Sequence, residues 1–183
     1  KSYLENQHVM EVSQIKKKSF SQSPYAPFTT STLQQDGVRK LNMSSDRVMK
    51  AAQKLYEGTG NGGYITYMRT DSINLSAEAI NDIRSFVSGE KTLGKQLLPN
   101  SPREYKTKAK NAQEAHEAIR PTKMDMTPDR LRQESSLDQD ELKLYALIWK
   151  RTIASQLVNA EFESTVVDID CGDGQFRANG KVL

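Results

Sequence analysis

A phenol is a weak nucleophile. With a pKa of about 10, a tyrosine hydroxyl is almost wholly protonated near neutrality, and it attacks only where positive charge stands beside it. The segment Gly63-Tyr64-Ile65-Thr66-Tyr67-Met68-Arg69-Thr70-Asp71-Ser72 places an arginine two residues after a tyrosine, then a hydroxyl, a carboxylate and a second hydroxyl. On a strand, residues i and i+2 share a face, so Arg69 is expected beside the Tyr67 phenol. A guanidinium there favours the phenolate and can grip a phosphate through two parallel N–H donors. Tyrosine, isoleucine and threonine are also the ordinary composition of a strand, and Tyr-x-Arg alone is common. The spacing opens this chemistry without fixing it.

A second group lies in Asn111-Ala-Gln113-Glu114-Ala-His116-Glu117-Ala-Ile-Arg120-Pro121-Thr122. Gln113, His116, Glu117 and Arg120 recur at helical spacing and can share one face of a turn before Pro121 interrupts it. His116 is suited to donate a hydrogen bond to a phosphate; the plainer reading is a surface histidine paired with Glu117 or Glu114. The spacing of Asp168-x-Asp170 matches a magnesium-binding pair, although two carboxylates on one face of a strand more often simply face solvent. A metal site in these residues is not expected: no second histidine is near His116, and one cysteine, Cys171, excludes both a zinc cluster and an internal disulfide.

The elements that must position these groups are short. His8 to Ile15 alternates like a half-buried strand, and Ser19 to Pro27 reads as a Ser/Pro linker at a domain boundary. Helices are predicted from Thr30 to Leu41 and from Ser45 to Glu57, the second with Val48, Ala51, Ala52 and Leu55 on one face. The turn between them, Asn42-Met43, gives a helix-turn-helix. Four glycines in the six residues Gly58–Gly63 end the second helix, and Tyr64–Met68 is expected as a strand. Together these elements resemble a winged helix. Ser76 caps a helix running to about Val87, with Glu78 favouring its dipole. Leu98 to Lys110 is irregular and basic. Thr127-Pro128-Asp129 opens another helix. Ser136 and Gln139 are read as the capping box of a further one, burying Leu142, Tyr145, Ile148, Trp149, Thr152 and Ile153. Ser164–Ile169 and Gln175–Leu183 form a hairpin around Gly172-Asp173-Gly174.

Composition narrows the class. The chain has 183 residues, 36% hydrophobic and 27% charged, with net charge +3. This is the balance of a soluble globular protein; no apolar run is long enough to span a bilayer and no signal peptide opens the chain. A cytosolic setting is expected. Lys16–Lys18, Lys106, Lys108 and Lys110 lie near the segments singled out above, as in a phosphate-binding stripe or a solvated face. The missing initial methionine and the strand-like last residues predict a piece of a longer chain.

Four blocks now stand together: Ala26-Pro-Phe-Thr-Thr-Ser-Thr-Leu-Gln-Gln35, Ala52-Gln-Lys-Leu-Tyr-Glu57, Tyr64–Ser72 and Gln113–Thr122. In order and approximate spacing they resemble the type IA DNA topoisomerases, the bacterial topoisomerase I group in particular, and the likeness covers nearly the whole chain. It implies an α+β fold: a mainly helical, winged-helix-like (CAP-like) gate domain over residues 25–155, flanked by arch-domain strands at 1–24 and 156–183. It implies that Tyr67 cuts one DNA strand through a 5′-phosphotyrosine, that Arg69 holds the scissile phosphate, and that His116 helps organise the cleavage site. DNA contacts are expected from Thr66, Thr70, Asp71, Ser72, Gln113, Glu117 and Arg120. Negative supercoils would be relaxed without ATP. Mg2+ belongs to the family's Toprim domain, which has no counterpart here, so this chain alone is expected to bind DNA weakly and cut it poorly or not at all. The implied partners are DNA, single-stranded by preference, and the remainder of the topoisomerase chain; the implied place is the bacterial cytoplasm, at the nucleoid. The glycine stretch before Tyr64 is longer than usual for the family. The alternative is a non-catalytic winged-helix DNA-binding module. A tyrosine recombinase or type IB enzyme is rejected, because there the arginine and histidine helpers largely precede a late tyrosine.

Overall fold

The computed structural model describes residues 9–60, 62–91, 93–105 and 117–183. His8, Lys106, Lys108, Lys110, Gln113 and His116 lie outside the described residues. The chain divides into two compact units, Pro24–Val158 on the one hand and Lys1–Ser23 with Asn159–Leu183 on the other.

The described residues of the second form a three-stranded antiparallel sheet in the order β1 (Glu11–Gln22), β2 (Ala160–Cys171) and β3 (Gly174–Val182), with β2 central. The Ser/Pro linker predicted from Ser19 is therefore shorter: the strand continues to Gln22. Phe20 stands opposite Phe162, their rings stack at 5.3 Å, and the Lys181 ammonium lies 3.5 Å from the Phe162 centroid. That aromatic pair outweighs the polar composition around it. The expected hairpin around Gly172-Asp173-Gly174 is there, with Gly172 (φ 58) and Asp173 as its two-residue loop and positive φ only at the first position, as in a type II′ turn. Asp168 accepts from Arg177 Nε at 2.6 Å, which holds its carboxyl below the usual range, and Asp170 accepts from Gln175 at 3.1 Å.

Among its described residues the larger unit holds five α-helices: α1 (Thr30–Leu41), α2 (Ser45–Glu57), α3 (Ala77–Gly89), α4 (Pro128–Glu134) and α5 (Gln139–Ala154). The first two have the predicted bounds. Thr29 and Thr32 form a capping box on α1, and Asn42 ends it in the left-handed conformation, φ 56. Ser44, Ser76 and Thr127 cap α2, α3 and α4, the last with Pro128 at its first position. For α5 the expected Ser136/Gln139 box is wrong. Asp138 is the N-cap, accepting from the N–H groups of Asp140 and Glu141, while Glu141 reaches back to the Asp138 N–H at 2.7 Å. A carboxylate at the cap, where the helix dipole is positive, is the stronger partner. The buried stripe of α5 is consequently Glu141, Leu144, Tyr145, Ile148, Thr152 and Ile153, with Leu142 and Trp149 only half-buried.

The main core gathers Phe28, Leu33, Val48, Leu55, Ile65, Met68, Ile119, Leu144 and Ile148. A smaller cluster of Ile83, Val87, Met124 and Ile153 lies beneath α3, and Trp149 packs against both. Helices α1 and α2 approach closely at Gly37, where a Cβ would collide with Val48. Arg47 forks onto Asp140, and Lys54 reaches Glu141 at 2.6 Å, tying α2 to α5.

The predicted strand Tyr64–Met68 is absent. It contributes one isolated bridge, Ile65 with Pro121, closed by Thr66 N–H to Arg120 C=O at 2.9 Å and Thr122 N–H to Tyr64 C=O at 3.0 Å. The Thr66 hydroxyl stops the ladder. It donates to the Ala118 carbonyl (2.7 Å) and accepts from the Arg120 N–H (3.0 Å), the two groups that the next rung would use. The helical spacing read for 113–120 does not describe 117–122 either: Ile119 bridges Phe28 and Pro121 bridges Ile65.

Candidate active site

The backbone carrying Tyr67 is fixed on both sides. Upstream, Gly58 (φ 71) terminates α2, and the glycine loop folds straight back so that Tyr64 N–H reaches the Leu55 carbonyl at 2.7 Å. This return runs close enough that a Cβ on Gly63 would strike the Tyr56 carbonyl oxygen. Only glycine fits there. Downstream, Thr30 at the start of α1 does double duty. Its N–H donates to Thr70 C=O (2.9 Å), while its hydroxyl donates to Met68 C=O (2.7 Å) and accepts from Thr70 N–H (2.9 Å). Between these anchors Ile65 and Met68 are buried in the main core.

Outward-facing residues alternate with these anchors. Tyr67 is 45% exposed, and Arg69 and Asp71 are exposed, whereas Met68, Thr70 and Ser72 point inward. The chain bends at Thr66, Met68 and Arg69, so the strand geometry expected to set Arg69 directly beside the phenol is not there. What exists is a set of three exposed groups, a phenol, a guanidinium and a carboxylate, on one firmly held segment. The Tyr67 ring lies edge-on to Tyr56, centroids 5.2 Å apart at 65°. Among the described residues, the Tyr67 hydroxyl, Arg69 and Asp71 form no hydrogen bond or ion pair.

The other residues singled out in this stretch hold the backbone. The Thr66 hydroxyl ends the bridge as described. Thr70 Oγ1 accepts from Ser72 N–H at 3.1 Å, and Ser72 Oγ from Asn74 N–H at 3.1 Å, two successive side-chain turns that lead into α3. Glu117 and Arg120 form a forked pair at 3.0 and 2.8 Å, and Arg120 also donates to Pro121 C=O. Glu117 Oε1 accepts from Ser76 N–H as well, at 2.8 Å, beside the N-terminus of α3. Burial pushes the Glu117 carboxyl up, but the Arg120 guanidinium and the Ser76 N–H outweigh it and hold the group below the usual range. Two contributors had no role from the sequence, Thr30 and Tyr56. Both sit inside the motif blocks, and only the spacing of the fold brings them to Tyr67. Among the described residues no three His, Cys, Asp or Glu side chains converge to hold a metal ion, and no helix is long and apolar enough to cross a membrane.

A family model described as DNA topoisomerase matches residues 1–183, and the chain belongs to that family. Its class is type IA. The chain is 49% identical over 178 residues to DNA topoisomerase 1 of Rickettsia felis, covering 94% of this chain and 22% of that protein. It is 51% identical over 180 residues to DNA topoisomerase 1 of Mycolicibacterium smegmatis, covering 95% of this chain and 18% of that one. Full-length topoisomerase I from Thermotoga maritima superposes with a TM-score of 0.74 at 36% identity, over 100% of this chain and 29% of that one. The chain thus spans about a fifth of the length of the curated relatives it matches.

Proposed function

We propose that this chain supplies the strand-cutting tyrosine of a type IA DNA topoisomerase, with Tyr67 as nucleophile. The observation that carries the reading is a solvent-facing tyrosine whose hydroxyl has no partner among the described residues, on a backbone anchored at both ends. In cleavage, the Tyr67 oxygen bonds to phosphorus and the bond from phosphorus to the 3′-oxygen breaks. The phenolic proton is given up, the departing 3′-oxygen gains one, and a 5′-phosphotyrosine remains. Resealing reverses each transfer, so the broken bond's energy stays in the linkage and no ATP is consumed. Arg69 neutralises the non-bridging oxygens as charge builds on them. Asp71 contributes a DNA contact from the exposed face, Thr66, Thr70 and Ser72 support the DNA-binding segment from beneath, Gln113, Glu117 and Arg120 take part in DNA binding, and His116 helps organise the cleavage site. Magnesium, held by the family's Toprim domain, would add positive charge at the phosphate. The described residues here offer no ligand set for it.

In the same reading residues 25–155 form the gate, α1 and α2 with the bridge at Ile65 being its winged-helix outline, and residues 1–24 and 156–183, with the three strands, belong to the arch. DNA is bound single-stranded by preference, beside the bacterial nucleoid. The 183 residues alone bind DNA weakly and cut it poorly or not at all, gaining activity when a Toprim-bearing part is supplied. The test mixes the two with magnesium and end-labelled single-stranded DNA. A denaturant-resistant adduct on this chain is expected, and none with Tyr67→Phe. If both parts associate and bind DNA without forming an adduct, Tyr67 is not the nucleophile. A preference for duplex over single-stranded DNA in the same titration would favour the non-catalytic module.

A further inference from the structure

We infer that Tyr56 is a positioning residue, whose ring holds Tyr67 in its attacking orientation before DNA arrives; this rests on Tyr67 being the nucleophile. Tyr56 is the penultimate residue of α2 and is 40% exposed. It belongs to neither core cluster. Tyr64, by contrast, packs on the core, and its hydroxyl lies 2.6 Å from that of Thr59. The side-chain contact distinguishing Tyr56 is the edge-to-face approach to Tyr67, 5.2 Å between centroids at 65°.

That geometry is directional. The positive edge of one ring meets the negative face of the other, so the pair favours one mutual orientation over a sliding contact. Left alone, a half-exposed tyrosine divides its time among staggered χ1 wells, only one of which aims the hydroxyl at a given phosphate. The backbone beneath makes the constraint effective. Gly63 passes directly over the Tyr56 carbonyl and Tyr64 N–H is bonded to Leu55, so the end of α2 and the segment bearing Tyr67 form one rigid piece. The two rings therefore cannot drift apart by loop motion, and the partner ring selects the rotamer.

The consequence is asymmetric between the two half-reactions. In the non-covalent complex Tyr56 supplies the orientation. In the adduct the phosphodiester bond itself holds the Tyr67 ring, and Tyr56 adds little. Removing the Tyr56 ring should slow cleavage by about two- to twelvefold, the range that an edge-to-face pair is worth, while resealing keeps its rate. The equilibrium constant between adduct and non-covalent complex then falls by the same factor. The hydroxyl of Tyr56 takes no part, so phenylalanine should restore the wild-type values.

The experiment uses the natural polypeptide that carries these residues, with magnesium and saturating end-labelled single-stranded DNA. Single-turnover cleavage, resealing of preformed adduct and DNA affinity are measured for the wild type, Tyr56→Phe, Tyr56→Ala and Tyr67→Phe. Slower cleavage in Tyr56→Ala, with unchanged resealing and affinity and rescue by Tyr56→Phe, supports the inference. Wild-type cleavage in Tyr56→Ala overturns it, as does equal slowing of both half-reactions. A loss confined to DNA affinity also overturns it and would make Tyr56 a stacking platform for a base. If the wild type forms an adduct that Tyr67→Phe retains, the nucleophile reading fails first and this inference falls with it.

Discussion

Glu117→Gln removes one negative charge and almost no volume, which makes it a clean probe of how the loop beside Tyr67 is held. The native carboxylate accepts three hydrogen bonds, from Arg120 Nε at 3.0 Å, Arg120 Nη2 at 2.8 Å and the Ser76 N–H at 2.8 Å. A glutamine has one acceptor oxygen. If it keeps Ser76, its amide N–H groups point at the donors of Arg120, whose remaining partner is the Pro121 carbonyl. Charge-assisted bonds of this kind contribute about 1.5–3 kcal/mol each when dry. The two side chains are 18% and 26% exposed, so water recovers part of the loss and a destabilisation of about 1–2 kcal/mol is expected. Urea unfolding followed by the fluorescence of the single tryptophan, Trp149, reads it out, because that ring packs edge-on to Phe86 of α3 at 5.6 Å. The pH dependence gives the sign. The folded carboxyl lies below its ordinary value, so its stabilisation is complete above the unfolded value and is lost as pH falls through the folded one. The gap between wild type and variant should therefore be full near neutrality and close in acid below the usual carboxylate range. A variant within about 0.3 kcal/mol of wild type at neutrality, or a gap that persists unchanged in acid, would refute the account.

Thr30→Val keeps the shape of the first residue of α1 but removes the hydroxyl from Met68 C=O and Thr70 N–H; a loss of about 1–2 kcal/mol is expected, with faster amide exchange at Thr70. Gly37→Ala forces a methyl into Val48, and overpacking of about 1–3 kcal/mol should exceed the gain of about 1 kcal/mol in helix propensity, so the unfolding midpoint falls. Burial pushes the Tyr145 hydroxyl, which donates to Met126 C=O at 2.6 Å, far above the ordinary tyrosine range. Its stabilisation is full below the ordinary value and is lost as pH climbs past it, so one tyrosine should ionise only together with alkaline unfolding in an ultraviolet titration.

Much of the helical frame is readable because caps are local chemistry. Ser76 and the Thr127-Pro128 order each announce a helix start within one turn of chain, and the structure uses both. At the start of α5 the pattern Ser136 with Gln139 misled, because the structure caps the helix with Asp138 and Glu141, and that choice is made by the phase that buries Leu144. The Tyr64–Met68 segment misleads for a different reason. Its composition is that of a strand, but the Thr66 side chain competes with its own backbone for the next rung, and Thr30, distant in sequence, takes the Met68 carbonyl. The strand β1 outruns its prediction because the partner that extends it, Phe162, lies far along the chain. At the candidate site Tyr67 and Arg69 stand out by type alone. The roles of Thr30 and Tyr56 depend on contacts across the fold that no local pattern records.

The double attachment of the Tyr67 segment also has a mechanical meaning. A tensile load applied at the phenol runs into the backbone and divides. One share passes through Met68 and Thr70 to the start of α1, and the other through Thr66 and the Ile65–Pro121 bridge to the loop ahead of α4. Attachments loaded side by side give way together, not one after another, so the segment transmits force and does not stretch under it. A covalently tethered strand end pulled against this mount would drag the whole helical unit with it.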